Sequence, residues 1–153
     1  ARGGALLFLH ADTLLPQDAQ ALVEQALRDK AWGRFDVRIS GRSPWLPIVA
    51  AFMNARSRLT GIATGDQALF MRREAFDAVG GFPDQPLMED IEFSSRLQQA
   101  GRTVALRDAV ITSFRRWDTQ GPLRTILLMW ALRFLYWTGV SPHRLKNFYA
   151  TIR

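Results

Sequence analysis

Apolar positions along this chain fall in short runs whose spacing switches between the period of a strand and that of a helix. Residues 5–9 form a continuous apolar run of strand length, the pattern of a strand buried on both faces as in parallel sheets. Pro16 then suits a first helical turn, and Leu22, Val23, Ala26 and Leu27 recur at helical spacing through Arg28. Residues 32–39 alternate, with Phe35, Val37 and Ile39 on one side and Arg34, Asp36 and Arg38 on the other, which predicts a half-exposed strand ended by Gly41, Ser43 and Pro44. A second helix is predicted over residues 45–59. Ile48, Val49, Phe52 and Met53 would be its apolar stripe, Asn54, Arg56 and Arg58 its polar face, and Gly61 its stop.

The same reading gives a short strand over residues 68–71, a brief helix over 74–79 and a turn at Gly80 and Gly81. A proline-bearing loop over 82–88 leads into a helix from Glu89 to near Gly101, and residues 103–114 return to strand alternation. From Pro122 onward the pattern is helical throughout. Strands and helices alternate with carboxylates at their ends, which predicts an α/β fold with a site along one sheet edge. Residues 1–121 read as that domain, and residues 122–153 as a helical extension packed on it or on a membrane surface.

With 153 residues and 48% hydrophobic composition, the chain can bury one sizeable core. The absence of cysteine excludes disulfides and thiolate metal sites and is compatible with a reducing cytoplasm. A net charge of +6, carried almost wholly by arginine, points to an anionic partner. The arginines are scattered between apolar segments, which favours phosphate on a small molecule over nucleic acid. The apolar run 126–137 is too short for a span and holds Arg133, so it is expected to be a buried or interfacial helix. Residue 1 is alanine and no charged, apolar, cleavable stretch follows it, so no signal peptide is expected.

Two acidic clusters carry the candidate chemistry. His10 and Asp12 close the first apolar run and would point to one side if strand geometry persisted. They could then face one ion, or Asp12 could simply cap a turn. Oxygen donors suit Mg²⁺ or Mn²⁺, and an imidazole tilts the choice to Mn²⁺. A phosphatase of the haloacid dehalogenase type would need an aspartate where His10 stands. Glu89 and Asp90 open a helix, where the dipole favours acids, and could equally hold a general base at the mouth of a site. Arg115, Arg116 and Trp117 could grip a diphosphate or be an ordinary surface pair beside a core indole. Gly65, Asp66 and Gln67 could bind hydroxyls or form a plain turn, and His143 reads as a surface or cap residue.

The ordered set LLFLHADT, TGDQALFMRR, GGFPDQPLMEDIEFSSRL and RRW resembles the family-2 glycosyltransferases of the GT-A, Rossmann-like fold, over residues 5–117. The tail GVSPHRLKNFY is similar to a bacterial subgroup labelled as arsenosugar-biosynthesis glycosyltransferases. The resemblance implies inverting, metal-dependent transfer of a sugar from a nucleotide-diphosphate donor to a hydroxyl acceptor. HAD at 10–12 is similar to the family's DxD motif, which implies Asp12, with His10 in place of the usual first aspartate, on Mn²⁺ or Mg²⁺. ED at 89–90 implies Asp90 as the base, supported by Glu89. RRW at 115–117 is similar to a shortened form of the family's Q/R-x-x-R-W motif, which implies diphosphate and acceptor-side contacts, and Gly65, Asp66 and Gln67 remain the candidates for binding acceptor hydroxyls. Family members carry further strand and helix units ahead of the DxD strand, so the chain is expected to be an N-terminally truncated, partial GT-A domain that binds nucleotide poorly by itself. It would act in the cytoplasm, at the inner membrane face where the apolar tail touches lipid. The alternative is a non-catalytic module kept for binding a partner or a membrane surface.

Overall fold

The computed structural model describes residues 2–113 and 122–152. Five strands, β1 (Ala5–Phe8), β2 (Thr13–Leu14), β3 (Trp32–Ser40), β4 (Leu69–Arg72) and β5 (Thr103–Ser113), form one sheet in the order β1-β4-β3-β5-β2. The helices are α1 (Ala19–Ala26), α2 (Leu46–Thr60), α3 (Arg73–Ala78), α4 (Glu89–Ala100), α5 (Pro122–Trp137) and α6 (Pro142–Ile152), with a 3₁₀ turn at Gly65–Gln67. The α/β class expected from the sequence is met. The sheet, however, is mixed: only β3 and β5 are parallel, and β1 is an antiparallel edge strand on β4.

Alternation within the strands feeds two cores. Leu6, Trp32, Leu69 and Met71 pack on one face with Phe93 and Leu97 of α4, while Phe35, Val37, Phe70 and Val110 pack on the other with Val23 and Leu27 at α1. Because β3 is central and covered on both faces, it is not the half-exposed strand its alternation predicts. Trp32 and Phe35 are fully buried and Arg34 is 1% exposed. The apparent solvent side of β3 instead faces α2, where Arg34 Nε donates to Ser57 Oγ and Arg58 pairs with Asp36 at 2.7 Å.

Helix α2 is rotated relative to its expected face. Its buried positions are Leu46, Val49, Ala50 and Ser57; of the expected apolar stripe Val49 is buried and Met53 packs on the core, whereas Ile48 and Phe52 are exposed. The cause is the open edge of β3 beyond Arg34, where β4 has no further residue to pair. Asn54 fills that gap as a strand would. Its Oδ1 accepts from the Val37 N–H at 2.9 Å and its Nδ2 donates to the Val37 carbonyl at 3.1 Å. Gly61 then ends the helix in the left-handed conformation, as expected.

The sheet must curl. Phe8 and Thr13 sit on opposite edge strands, and five residues reach at most about 18 Å. Four strand spacings of a flat sheet already take about 19 Å. Curvature closes the gap, helped by the irregular register of β3 on β5 after Phe35. Residues 9–12 therefore cross from edge to edge and do not continue β1. At the other end of the molecule, Leu132 of α5 and Leu145 of α6 pack on Met88, and Tyr136 Oη donates to Glu92 at 3.0 Å, which ties the helical tail to the start of α4.

Asn54→Ala removes both bonds to Val37 and leaves a partly buried N–H and C=O unpaired. Stability is expected to fall by about 1–3 kcal/mol, measured by urea denaturation of the variant against the parent chain.

Candidate functional site

The strand geometry that would align His10 with Asp12 stops at Phe8. His10 and Asp12 lie in a turn, closed by the Thr13 N–H on the His10 carbonyl at 3.1 Å. There His10 Nδ1 meets Asp66 Oδ1 at 3.3 Å, while its Nε2 lies where a side chain on residue 65 would have to stand. Glycine at 65 is what lets the imidazole approach. Both ring nitrogens are thus turned toward the Gly65–Gln67 turn, and the Asp12 carboxylate is left exposed to solvent.

Asp90 reaches the same turn from α4. Its Oδ2 accepts from the Gly65 N–H at 2.9 Å and its Oδ1 from the Ile91 N–H at 2.8 Å, so two backbone donors fix the carboxylate plane. A carboxylate has about four acceptor directions, so each oxygen keeps one for a further partner. Ser94 bonds Ala63, accepting from its N–H at 3.2 Å, and Gln98 Nε2 donates to the Thr60 carbonyl at 3.0 Å. Asp90, Ser94 and Gln98 stand one turn apart on one helix face. Together they hold the segment from Thr60 to Gly65 antiparallel along α4.

The members of the predicted set separate as follows. His10, Gly65, Asp66 and Asp90 are brought together, with Asp12 close enough for its charge to act on His10. Gln67 is fully buried and closes a capping box with Thr64, so it faces inward. Glu89 is exposed at the first turn of α4, beside this cluster. Arg115, Arg116 and Trp117 lie outside the described residues. His143 is exposed, as expected.

Two functional candidates were not singled out in the sequence. Arg56, assigned there to a polar outer face, is pushed down to about 10 by burial, then by the charge of Arg133, against the pull of Asp90. Arg133 of α5 is lowered by burial against the pull of Asp90 and Asp66. Arg56 therefore remains charged at neutral pH. Arg56 Nε and Nη2 and Arg133 Nε are buried without a hydrogen-bond partner among the described residues. The site therefore brings two desolvated guanidinium groups within electrostatic reach of Asp90.

Among the described residues no group of three His, Asp or Glu side chains could hold a metal ion by itself. A hard cation of the Mg²⁺ kind commonly takes one or two carboxylates and completes its shell with substrate phosphates and water. The exposed Asp12 fits that chemistry, and His10, engaged with Asp66, does not need to join it. Comparison with family models, with curated proteins and with solved structures finds no match for this chain.

The Asp66 hydrogen bond raises the pKa of His10 above 6.5; burial opposes the rise, and the charges of Asp66, Asp12 and Asp90 add to it. A raised folded value means that the pair's contribution is complete below pH 6.5 and is lost as pH climbs through the folded pKa. Gly65→Ala, which displaces the imidazole, and Asp66→Asn, which removes its partner, are each expected to return the His10 titration toward 6.5 in an NMR pH series. A midpoint unmoved in both would show that the pair does not hold in solution.

Proposed function

We propose that this chain carries the metal motif and the acceptor side of a family-2, GT-A-type glycosyltransferase. In that reading it moves a sugar from a nucleotide-diphosphate donor to a hydroxyl acceptor with inversion at the anomeric carbon. The observation that supports it most is the meeting, at Gly65, of Asp90 with the turn that holds His10 and Asp12. These residues are far apart in sequence and belong to three of the motifs that carry the resemblance.

In this mechanism Asp90 is the base. The Gly65 and Ile91 N–H groups orient its carboxylate, and a free acceptor direction on either oxygen takes the proton of the acceptor hydroxyl. Glu89 stands beside it at the helix start, where the dipole favours negative charge. Asp12 would hold Mn²⁺ or Mg²⁺, which when bound supplies neutralisation of the departing diphosphate. His10 and Asp66 are positioning residues that set the Asp12 turn against the Gly65 turn. Arg115, Arg116 and Trp117 are assigned to the diphosphate on the resemblance, and Gly65 and Asp66, whose turn meets Asp90, to acceptor hydroxyls. Gln67 supports that turn from within.

Asp90→Asn keeps the shape but offers one acceptor oxygen in place of two, so it retains only one of the two backbone bonds and cannot take a proton; kcat is expected to fall by about 10²- to 10⁴-fold. The assay follows transfer from a panel of nucleotide sugars in the presence of Mn²⁺, with this chain extended to a full-length GT-A domain. Undiminished turnover in the variant would overturn the assignment of the base.

A second reading, a module that binds a membrane surface, is favoured by one feature of α5. Leu127, Trp130, Phe134 and Trp137 are 65%, 59%, 61% and 82% exposed, on a helix flanked by the exposed cations Arg124, Arg144 and Lys146. Among the described residues no helix is long and apolar enough to cross a membrane, so contact would be interfacial. The chain is then expected to float with liposomes containing anionic lipid and to lose at least about half of that binding in Trp130→Ala/Trp137→Ala. Equal recovery of parent and variant would count against it.

A further inference from the structure

We propose that Arg56 and Arg133 form an oxyanion subsite beside Asp90 that takes a phosphoryl group of the substrate. Arg56 sits on α2 and Arg133 on α5, two helices that meet the site from different parts of the chain. On Arg56 the unpartnered atoms are Nε and Nη2, which together make one edge of the guanidinium fork. That edge offers two parallel N–H donors, the geometry that matches two oxygens of a phosphate or carboxylate. Arg133 adds a buried Nε without a partner among the described residues.

Electrostatics sharpen the inference. The two guanidinium groups are close enough to repel, and each draws on Asp90 for compensation. Yet the Asp90 oxygens accept from Gly65 and Ile91, and neither arginine forms an ion pair within 4.0 Å among the described residues. The carboxylate thus offsets charge at a distance and leaves the donors free. Burying such donors without a partner costs stability, and a shared oxyanion satisfies them and screens the two cations from each other at once. Phosphate is favoured over carboxylate because it can accept from both arginines and still present an oxygen to a cation.

Only the identity of the molecule that bears the phosphoryl group rests on the transferase reading; oxyanion binding follows from the two side chains. The test is calorimetry on residues 1–153 with inorganic pyrophosphate, alongside UDP as a donor-type diphosphate and glucose 6-phosphate as an anionic acceptor type. Pyrophosphate is expected to bind, and Arg56→Gln and Arg133→Gln are each expected to weaken it by about 10- to 100-fold. Arg58→Gln, an exposed cation paired with Asp36, is expected to leave it unchanged. Arg56→Lys and Arg133→Lys, which keep the charge and lose the fork, are expected to fall between, and they serve if a glutamine variant does not fold. Binding of UDP but not glucose 6-phosphate assigns the subsite to the donor, and the reverse assigns it to the acceptor. Absence of pyrophosphate binding, or equal weakening by Arg58→Gln, would overturn the subsite. Pyrophosphate binding, together with no transfer by the chain extended to a complete GT-A domain, would overturn only the transferase reading.

Discussion

One interaction orders the rest of this molecule: the row of Asp90, Ser94 and Gln98 on α4, each bonded to the backbone of the segment between α2 and β4. That segment has no regular partner of its own before the 3₁₀ turn, so its peptide groups need side chains to satisfy them. Spacing of one helical turn on α4 matches roughly two residues of extended chain, and the two run together in opposite directions. The row fixes where α2 ends and where the Gly65 turn begins. It also sets Asp90, the residue nearest the candidate chemistry, at the end of a rigid series and not on a mobile loop.

The same economy appears at β3. A strand that alternates apolar and charged residues ordinarily turns its charges to water. Here Arg34 and Asp36 meet α2, whose Ser57 and Arg58 answer them. Burial pushes the Arg34 guanidinium down to about 10, with Arg58 adding to the shift and Asp36 opposing it. Arg56 and Arg133 lie in a similarly desolvated region without such answers. The contrast separates charges that complete the fold from charges that the fold leaves available, a pattern common where binding has been placed above stability.

Element types were legible in the sequence because periodicity reports burial, and the runs at 5–8, 19–26, 69–72 and 89–100 each form the element their pattern predicts. What periodicity could not report was which face of an element meets another polar face. Asn54, Arg56 and Ser57 look like the solvent side of α2 because they are polar, and they turn inward because the Val37 backbone has no β4 residue on its open edge and Arg34 needs an acceptor. The mixed sheet was hidden for a related reason. An apolar run does not encode strand direction, and β1 pairs antiparallel with β4 through contacts distant in sequence. At the site, His10, Asp12, Asp66 and Asp90 were legible as chemistry-bearing residues. The i, i+4, i+8 spacing of Asp90, Ser94 and Gln98 was a signal present in the sequence, whereas the approach of Arg133 to Asp90 depends on how α5 docks and left no local trace.

The short passage from Phe8 to Thr13 has an evolutionary corollary. Because it crosses from one edge strand of the curved sheet to the other and folds the hydrogen-bonded turn at residues 10–13 on the way, its residue count is dictated by architecture, while the identity of its exposed side chains is not. Substitution there can retune which groups are offered to a substrate without disturbing the scaffold, but deletion of one residue would pull the two rims of the sheet out of place. Chemical novelty at this position is therefore cheap and changes of length are not.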